Sequence, residues 1–390
     1  MKIKIFTLIA ILILNIYSFA EEEGVTDTEI RIAQFGPLSG PASPWGDVVL
    51  GTGFLFKLVN EEGGIHGRKI NYRPFDDSYN PAKTKYGVKL LQEKLGIFAW
   101  VGGVGTETAL SVKDYLVNRN IPWVIPITGS EEFITPPNKY IFTAYPLYSF
   151  EARILCKYAV ENMGKKKIAI IYQNDGYGKS ALKGATEELL KHNMEIMPKI
   201  PLEVKDNDYE ECINTLIKSD SDTVLVFITP FSALRLLLAA KNMNFTPQWM
   251  GGNSFSDFPL LYRISHGLWK GMIATTQADF TDTPILRKYK EAFKKYASEK
   301  EKWSLNFQYG IGFGEPLVEA LKRCGRDLTR ERFIKEIEGL GNFKGILNTG
   351  IFKPFDPNDP ESRRATKESY IIQCIENGNI KKLSDWIKID

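Results

Sequence analysis

The chain has 390 residues, of which 43% are hydrophobic and 25% charged, and its formal net charge is +3. This length suffices for two domains with proper cores, at roughly 100–200 residues per domain. A net charge this close to zero, without basic clusters, gives no support for nucleic-acid binding, so we expect no nucleic-acid partner.

The first 20 residues have the pattern of a secretory signal peptide. Lys2 and Lys4 precede the apolar run 5–16, and the small residues Ser18 and Ala20 stand where a signal peptidase cleaves. We therefore predict cleavage after Ala20 and export to the periplasm. Cleavage removes two lysines and no acids, which lowers the formal charge from +3 to +1. No later stretch is long and apolar enough to span a membrane.

The cysteines and the three histidines lack the spacing of metal sites, so we expect no metal. The cysteines are Cys156, Cys212, Cys324 and Cys374. Export permits disulfides, and four cysteines allow three full pairings. Burial as small apolar residues is the alternative for Cys156 and Cys212, which fall in predicted helices.

Strands and helices alternate along the first part of the chain. The patterns predict strands over residues 29–35, 70–75, 98–101 and 124–127. A helix follows Trp45, with Thr52 on its surface. This alternation is typical of a parallel, doubly wound sheet, in which ligands bind at the carboxyl ends of the strands. We therefore expect loops 38–45, 103–106 and 127–130 to lie close together.

A second cycle of the same kind begins near residue 147. Its predicted strands cover residues 167–172, 195–200, 223–228, 249–252 and 272–276. Helices follow over 284–298 and 313–324, and a last pair of strands lies within 350–380. We predict an α/β fold of two doubly wound parallel-sheet lobes joined by a multi-strand hinge. Lobe 1 comprises residues 21–146 and 277–347, and lobe 2 comprises 147–276 and 348–390.

The stretch FAWVGGVGTETAL, residues 98–110, has the clearest chemical implication. The pattern predicts a strand, a glycine turn and then a helix that begins at Thr106. Free backbone N–H groups and the positive end of the helix dipole meet at this turn, which suits an anion. The alternative is that the glycines only form a tight turn and Thr106 only caps the helix. A dinucleotide fingerprint is excluded because Thr108 occupies the place of its third glycine.

Other enzyme motifs are also incomplete. In the segment 252–256, Ser256 stands where a nucleophile elbow requires its closing glycine. We therefore expect neither catalytic activity nor a cofactor. Two parallel-sheet lobes joined by several crossings instead indicate a cleft that closes on a small ligand.

A set of motifs in fixed order covers essentially the whole chain after residue 20. They include IRIAQFGPLSGPASPWGD, NEEGGIHGRKI, FDDSYNPAKT, WVGGVGTETAL, IAIIYQNDGYGKSAL, QWMGGNSF and WKGMIATT. In these motifs the chain resembles the periplasmic solute-binding proteins of the branched-chain amino acid type, the two-lobe receptors of ATP-driven importers. The resemblance implies a receptor that closes on a small carboxylate-bearing ligand and delivers it to an ABC permease in the inner membrane. The alternative is a sensor of the same fold that signals to a partner protein.

The resemblance also implies a set of ligand-binding positions. They are Trp45, Thr106, Ile127, Thr128, Ser130, Tyr177, Phe231 and Asn253. Trp45 and Tyr177 match aromatic residues that cover the ligand from the two lobes. Thr106 matches the hydroxyl residue that binds the ligand carboxylate, and residues 127–128 match the loop that holds carboxylate and ammonium. Ser130 supplies a second hydroxyl if that loop is one residue longer here.

Two of these positions depart from the family pattern. The family's acid for the ligand ammonium falls at Asn253, and a tyrosine of the second lobe falls near Pro230, next to Phe231. A neutral amide removes a charge-assisted hydrogen bond, so an organic acid or amide without an ammonium group is a candidate ligand. An amino acid remains a candidate if another acid, Glu107 or Asp175, reaches the site. Asn306 is a weaker candidate contact.

Overall fold

The structure is a computed structural model that describes residues 22–298, 301–341, 343–347, 352–366 and 368–388. The predicted signal peptide, residues 1–20, lies outside these ranges, as do residues 348–351 in the region predicted to hold the last strand pair. Within the described ranges, no helix combines the length and the apolar character needed to cross a bilayer.

The first lobe is built on a parallel sheet with the strand order β2-β1-β3-β4-β5. Its strands are β1 (Glu29–Gly36), β2 (Lys69–Asp76), β3 (Ala99–Val101), β4 (Trp123–Val124) and β5 (Ile141–Phe142). The helices between them are α1 (Asp47–Glu61), α2 (Pro81–Leu95) and α3 (Thr106–Val117). Asn80 caps α2, since its side chain accepts hydrogen bonds from the N–H groups of Ala82 and Lys83.

The second lobe repeats this plan and adds antiparallel strands at one edge. Its helices are α4 (Tyr148–Glu161), α5 (Gly176–Lys191), α6 (Tyr209–Lys218), α7 (Pro230–Asn242) and α8 (Phe258–Ile264). Its strands are β6 (Ile168–Gln173), β7 (Lys199–Leu202), β8 (Thr223–Phe227), β9 (Gln248–Gly251), β10 (Ile273–Thr276), β11 (Glu368–Cys374), β12 (Ile380–Lys382) and β13 (Ile387–Lys388). The order is β12-β11-β10-β9-β8-β6-β7, with β13 on β11. The predicted fold class of two parallel-sheet lobes is confirmed.

Among the described residues after β10, the α-helices are α9 (Pro284–Tyr296), α10 (Leu305–Cys324) and α11 (Arg330–Glu338). Helix α10 packs against α1 of the first lobe at very short range. A Cβ on Gly51 would lie 1.9 Å from the carbonyl oxygen of Phe307, and one on Gly310 would lie 2.0 Å from that of Val48. This glycine contact fixes α10 on the first lobe and directs one of its faces toward the second.

The strand order reverses at one place in each sheet, and these places set the position of the site. In the first sheet the chain moves from β1 outward to β2 and then crosses to β3. In the second sheet it moves from β6 to β7 and then crosses to β8. The crevice at such a reversal, outside the carboxyl ends of the strands, is the usual ligand position in α/β sheets.

Some predicted elements differ from the observed ones. The strand predicted over 124–127 ends at Val124, because Ile125 adopts a positive φ of 53° before Pro126. The helix predicted from Phe313 begins eight residues earlier, at Leu305, in a glycine-containing first half that packs on α1. The strand predicted over 195–200 lies at Lys199–Leu202.

The four cysteines are all buried and free. No disulfide therefore links them, and the alternative of burial as small apolar side chains applies to each.

Candidate ligand-binding site

A cavity lies between the two lobes, next to the loops that follow β3, β4, β6 and β9. Half of its lining residues are aromatic. The lining consists of Trp45, Val48, Tyr79, Val104, Gly105, Ile127, Tyr145, Tyr148, Tyr177, Asn253, Ser254, Asn306, Tyr309 and Phe313. Such a cavity, largely apolar with a few polar groups, is typical of small-molecule sites.

The lobes are in contact across this cavity. The Trp45 Nε1 of the first lobe donates to the carbonyl oxygen of Ser254 in the second, at 2.9 Å. The hydroxyl of Tyr177 lies 2.9 Å from the Ser254 Oγ. Both aromatic residues line the cavity, as do Ile127 and Asn253 among the predicted site residues.

The first-lobe end of the cavity is formed by the turn into α3. Gly105 precedes the helix with a φ of 106°, and no side chain caps the helix there. A Cβ on Gly105 would lie 2.5 Å from the ring of Tyr79, so the glycine permits both the turn and the position of this ring. The first-turn N–H groups of such a helix have no intrahelical partner and carry the positive end of its dipole.

Two of the predicted hydroxyl residues lie immediately behind this wall. The Oγ1 atoms of Thr106 and Thr128 are 2.9 Å apart, and both residues are buried. Burial raises the pKa of the Tyr148 hydroxyl, and hydrogen bonds between this hydroxyl and both threonines oppose that rise. The three hydroxyls therefore form one polar group at the base of the cavity.

Ser130, the second predicted hydroxyl of this loop, lies next to Thr128 at the start of a short 3-10 helix. It is buried, but its Oγ accepts a hydrogen bond from the Glu132 N–H at 3.3 Å and so caps the short 3-10 helix Glu131–Phe133. Its own N–H donates to the Thr128 Oγ1 at 3.2 Å. Ser130 thus supports Thr128, and it does not line the cavity.

Phe231, another of the predicted ligand-binding positions, does not line the cavity. It is half-buried at the start of α7, and its N–H donates to the carbonyl oxygen of Pro41 in the first lobe at 3.4 Å. The residue therefore contacts the loop before Trp45. The expected aromatic surface comes instead from Tyr145, Tyr148 and Tyr309.

Several lining residues were not predicted, and Tyr79, Tyr309 and Phe313 are among them. Tyr309 and Phe313 stand four residues apart on α10 with their rings stacked, 5.5 Å between centroids. Their spacing would have identified them had α10 been predicted from Leu305. Tyr79 precedes the Asn-Pro signal of α2, at the carboxyl end of β2, where a site residue could have been sought.

The second-lobe end of the cavity is polar and centres on Asn253. Its Oδ1 accepts from the hydroxyl of Tyr309 at 2.5 Å and from the N–H of Gln277 at 3.2 Å. Burial raises the pKa of Tyr309 to about 12, so this hydroxyl stays protonated and donates. The Asn253 N–H donates to Glu151 Oε1 at 2.6 Å.

Neither acid proposed from sequence as a substitute charge lines the cavity. Glu107 is exposed, and its Oε1 accepts from the Gly176 N–H at 3.1 Å across the cleft. Asp175 caps α5, where its Oδ1 accepts from Tyr177 N at 3.0 Å. Within the ranges that the structure describes, no group of His, Cys, Asp and Glu side chains could hold a metal ion.

Two lobes that enclose a cavity at the reversal points of both sheets define a solute-binding protein of the periplasmic type. The profile of the family described as "Periplasmic binding protein" matches residues 29–379. The chain belongs to this family. Its members are solute-binding proteins rather than enzymes, in agreement with the expectation from sequence.

Individual relatives agree with this assignment. The leucine-specific-binding protein of Salmonella typhimurium is 25% identical over 296 residues, which cover 75% of this chain and 78% of that protein. Among solved structures, a fatty acid ABC transporter substrate-binding protein from Thermomonospora curvata has a TM-score of 0.82 at 23% identity, covering 95% of both chains. A branched-chain amino acid ABC transporter protein from Thermus thermophilus with bound valine has a TM-score of 0.81 at 20% identity, covering 93% of this chain and 97% of that one.

Proposed function

We propose that this chain is the periplasmic substrate-binding component of an ABC importer. In this proposal it is exported by a signal peptide at residues 1–20, and its lobes comprise 21–146 with 277–347 and 147–276 with 348–390. The lobes close on one small carboxylate-bearing ligand, an amino acid or a related organic acid, and the closed form delivers it to the inner-membrane permease.

The observation that carries the proposal is the uncapped N-terminus of α3 at the aromatic cavity between the lobes. Gly105 lines the cavity directly before the helix, and the hydroxyl pair of Thr106 and Thr128 lies beside it. Free N–H groups, a positive dipole end and rotatable hydroxyls together suit a carboxylate. The surrounding rings suit an apolar body attached to it.

The relatives support a carboxylate as the common feature of the ligand. Leucine, valine and fatty acids, the ligands in the names of the three proteins above, differ in size and in the presence of an amino group. Each of them carries a carboxylate. We therefore assign the polar end of the cavity, at the N-terminus of α3, to the ligand carboxylate.

Thermal unfolding and titration calorimetry with a small-molecule panel test the proposal. The panel contains leucine, valine, phenylalanine, 4-methylpentanoate and 3-phenylpropionate, with leucinol and leucine methyl ester as compounds that lack the free carboxylate. A ligand at about 100 times its Kd stabilises the folded protein by about 2.7 kcal/mol, which a melting curve detects. We expect stabilisation by at least one carboxylate and by neither control. Equal stabilisation by the controls, or none by any acid, would contradict the proposal.

The transport role needs a cellular measurement, because a sensor of the same fold would bind the same ligand. Cells that lack this protein should take up the radiolabelled ligand at a strongly reduced rate, and supplying the intact chain should restore uptake. A Thr106→Val chain should restore it poorly at limiting ligand concentration. Undiminished uptake in cells without the protein would exclude the transport role.

A further inference from the structure

Glu151 is a fully buried acid directly behind the Asn253 end of the cavity, at 0% exposure on α4. Its Oε1 accepts two short hydrogen bonds, from the Asn253 N–H and from the Thr275 Oγ1, each at 2.6 Å. Its Oε2 accepts none from the described residues. That oxygen lies against Gly252, where an added Cβ would be only 2.8 Å away.

A buried carboxyl group with one unused oxygen is compensated either by taking up a proton or by a nearby cation. No lysine or arginine within the described ranges forms an ion pair with Glu151. The ionisable groups that its charge affects are cavity-lining phenols, whose pKa values are raised mainly by burial and further by the charge of Glu151. These are Tyr145, Tyr148, Tyr177 and Tyr309. The protein thus surrounds this acid with neutral groups, and burial raises the pKa of Glu151 to about 8.

We propose that Glu151 is the charge partner of a cationic group on the ligand, so that the cavity selects zwitterionic amino acids over the matching carboxylic acids. This inference rests on the proposed function and specifies its ligand class. Asn253 stands between Glu151 and the cavity, and its N–H donates a hydrogen bond to Glu151. The Glu151 carboxylate therefore attracts the cationic group of the ligand across one layer of atoms. The attraction is strong because the site is buried and poorly screened. The electron-rich faces of the surrounding rings add to it.

The two ends of the cavity then have opposite preferences. The helix terminus at Gly105 and the hydroxyl of Thr106 favour an anion, whereas Glu151 and the aromatic faces favour a cation. An α-amino acid with an apolar side chain carries both charges and an apolar body. A plain carboxylic acid satisfies only the first end and leaves Glu151 without a partner.

Binding of an amino acid should also displace a proton. A bound ammonium group favours the ionised form of Glu151, so the part of the population that is protonated near pH 7.5 passes its proton to the buffer. A carboxylic acid without an ammonium group supplies no such cation and should displace none from this group.

The test compares matched ligands that differ only in the amino group. Leucine is paired with 4-methylpentanoate and phenylalanine with 3-phenylpropionate, and calorimetry measures each Kd at pH 7.5. We expect the wild-type protein to bind the amino acid at least about tenfold more tightly than its partner, as for hydrogen bonds to charged groups. Repeating the titration in buffers of different ionisation enthalpy measures the proton release.

Glu151→Gln retains the shape and removes the charge, so it should abolish both the preference and the proton release. Glu188→Gln is the matched control, because Glu188 is also buried in the second lobe but bonds to Lys191 on the helix surface. This control should leave the ligand preference unchanged. If Glu151→Gln does not fold, the wild-type preference and proton release decide the question by themselves.

Equal or tighter binding of the deaminated partners by the wild-type protein would overturn the inference while leaving the proposed function intact. An amino acid preference that persists in Glu151→Gln, or binding without proton release, would overturn it as well. Binding of neither member of either pair, nor of any other carboxylate in the panel, would contradict the proposed function and this inference together.

Discussion

The indole of Trp45 donates a hydrogen bond to the carbonyl oxygen of Ser254, at 2.9 Å, and this bond joins the two lobes at the cavity. The Oγ of the same serine lies 2.9 Å from the hydroxyl of Tyr177. The rings of Trp45 and Tyr177 meet edge-on, with 6.2 Å between centroids and an angle of 86°. One serine therefore positions the aromatic residues that cover the cavity from opposite lobes, so closure and ligand coverage depend on the same contacts.

Replacing Trp45 by Phe tests this link. The substitution retains an aromatic ring over the cavity and removes the N–H group that reaches Ser254. Because the lost bond belongs to the closed form, we expect ligand affinity to fall about three- to tenfold, with little change in the unfolding midpoint of the free protein. Calorimetry with the best ligand of the panel measures the affinity.

Trp386→Phe is the control for this substitution, because Trp386 packs on Tyr370 at the antiparallel edge of the second lobe and does not line the cavity. It should leave affinity unchanged. Equal affinities for wild type and Trp45→Phe would show that the bond to Ser254 does not contribute to closure.

Thr106→Val tests the hydroxyl pair at the helix terminus. The change is nearly isosteric, but it removes the Oγ1 that lies 2.9 Å from the Thr128 Oγ1 and adjoins the proposed carboxylate position. Loss of a hydrogen bond to a charged group should weaken binding about 10- to 100-fold. Affinity for the wild-type ligand, measured by calorimetry, is the readout.

The control is Thr215→Val, whose hydroxyl bonds to the Glu211 carbonyl oxygen within α6 and lies far from the cavity. Thr52 is unsuitable, since its predicted surface position is wrong: it is fully buried, and its Oγ1 donates to the carbonyl oxygens of Val48 and Gly310. Indistinguishable affinities for the Thr106 and Thr215 variants would remove Thr106 from the ligand site.

Local patterns were sufficient for the parts of the fold that depend on short-range rules. Alternating strands and helices predict parallel sheets, and the carboxyl ends of those strands hold the predicted cavity residues Trp45, Ile127, Tyr177 and Asn253. Packing between distant segments was not predictable in the same way. Tyr309 lies in the cavity because Gly310 allows α10 to approach α1, a contact between residues about 260 positions apart. No local pattern near either segment specifies that contact.

Packing between distant segments also determines which acid lies next to the cavity, and local sequence patterns did not identify it. The prediction placed a neutral residue, Asn253, at the family's position for an acid, and it offered Glu107 and Asp175 as substitutes, which follow strands β3 and β6. The acid that adjoins Asn253 is Glu151, 102 residues earlier in the chain, on a helix that reads as an ordinary amphipathic segment. Its unused oxygen is visible only once α4, β9 and β10 are packed together.

Gly105→Ala should damage both the fold and the site. The residue has a φ of 106°, and an added Cβ would lie 2.5 Å from the ring of Tyr79, which lines the cavity. We expect a destabilisation greater than about 1 kcal/mol, the usual scale for alanine at such a backbone conformation, together with loss of ligand binding. Denaturant unfolding and calorimetry measure the two effects.

Gly164→Ala separates the backbone effect from the contact. Gly164 also has a positive φ, 66°, but an added Cβ there meets no atom within 4 Å. This variant should lose only about 1 kcal/mol and bind ligand normally. If Gly105→Ala binds as tightly as Gly164→Ala, the Tyr79 contact is not part of the site.

The ligand-free protein should become less stable as the pH rises from 5 to 8. Burial raises the pKa of several acids above their ordinary values: Glu151 to about 8, Glu315 to about 7, and Asp77 and Asp257 to about 6. A folded-state pKa above the unfolded value means that the folded protein binds protons more tightly. The stabilisation is therefore complete below the unfolded pKa and is lost as the pH rises through the folded one.

Glu315→Gln isolates one of these groups outside the ligand cavity. Its Oε2 accepts a hydrogen bond from the Ile346 N–H at 2.8 Å, which the amide oxygen of glutamine can still accept. The rise in the pKa of Glu315 from 4.5 to about 7 lowers the free energy of unfolding by on the order of 3 kcal/mol between pH 5 and 8. The variant lacks this group, so its stability should depend less steeply on pH.

Glu291→Gln, at an exposed position on α9, is the control and should follow the wild-type curve. Melting curves across this pH range measure the slopes, and a Glu315→Gln slope equal to that of wild type would show that this acid does not contribute to the pH dependence.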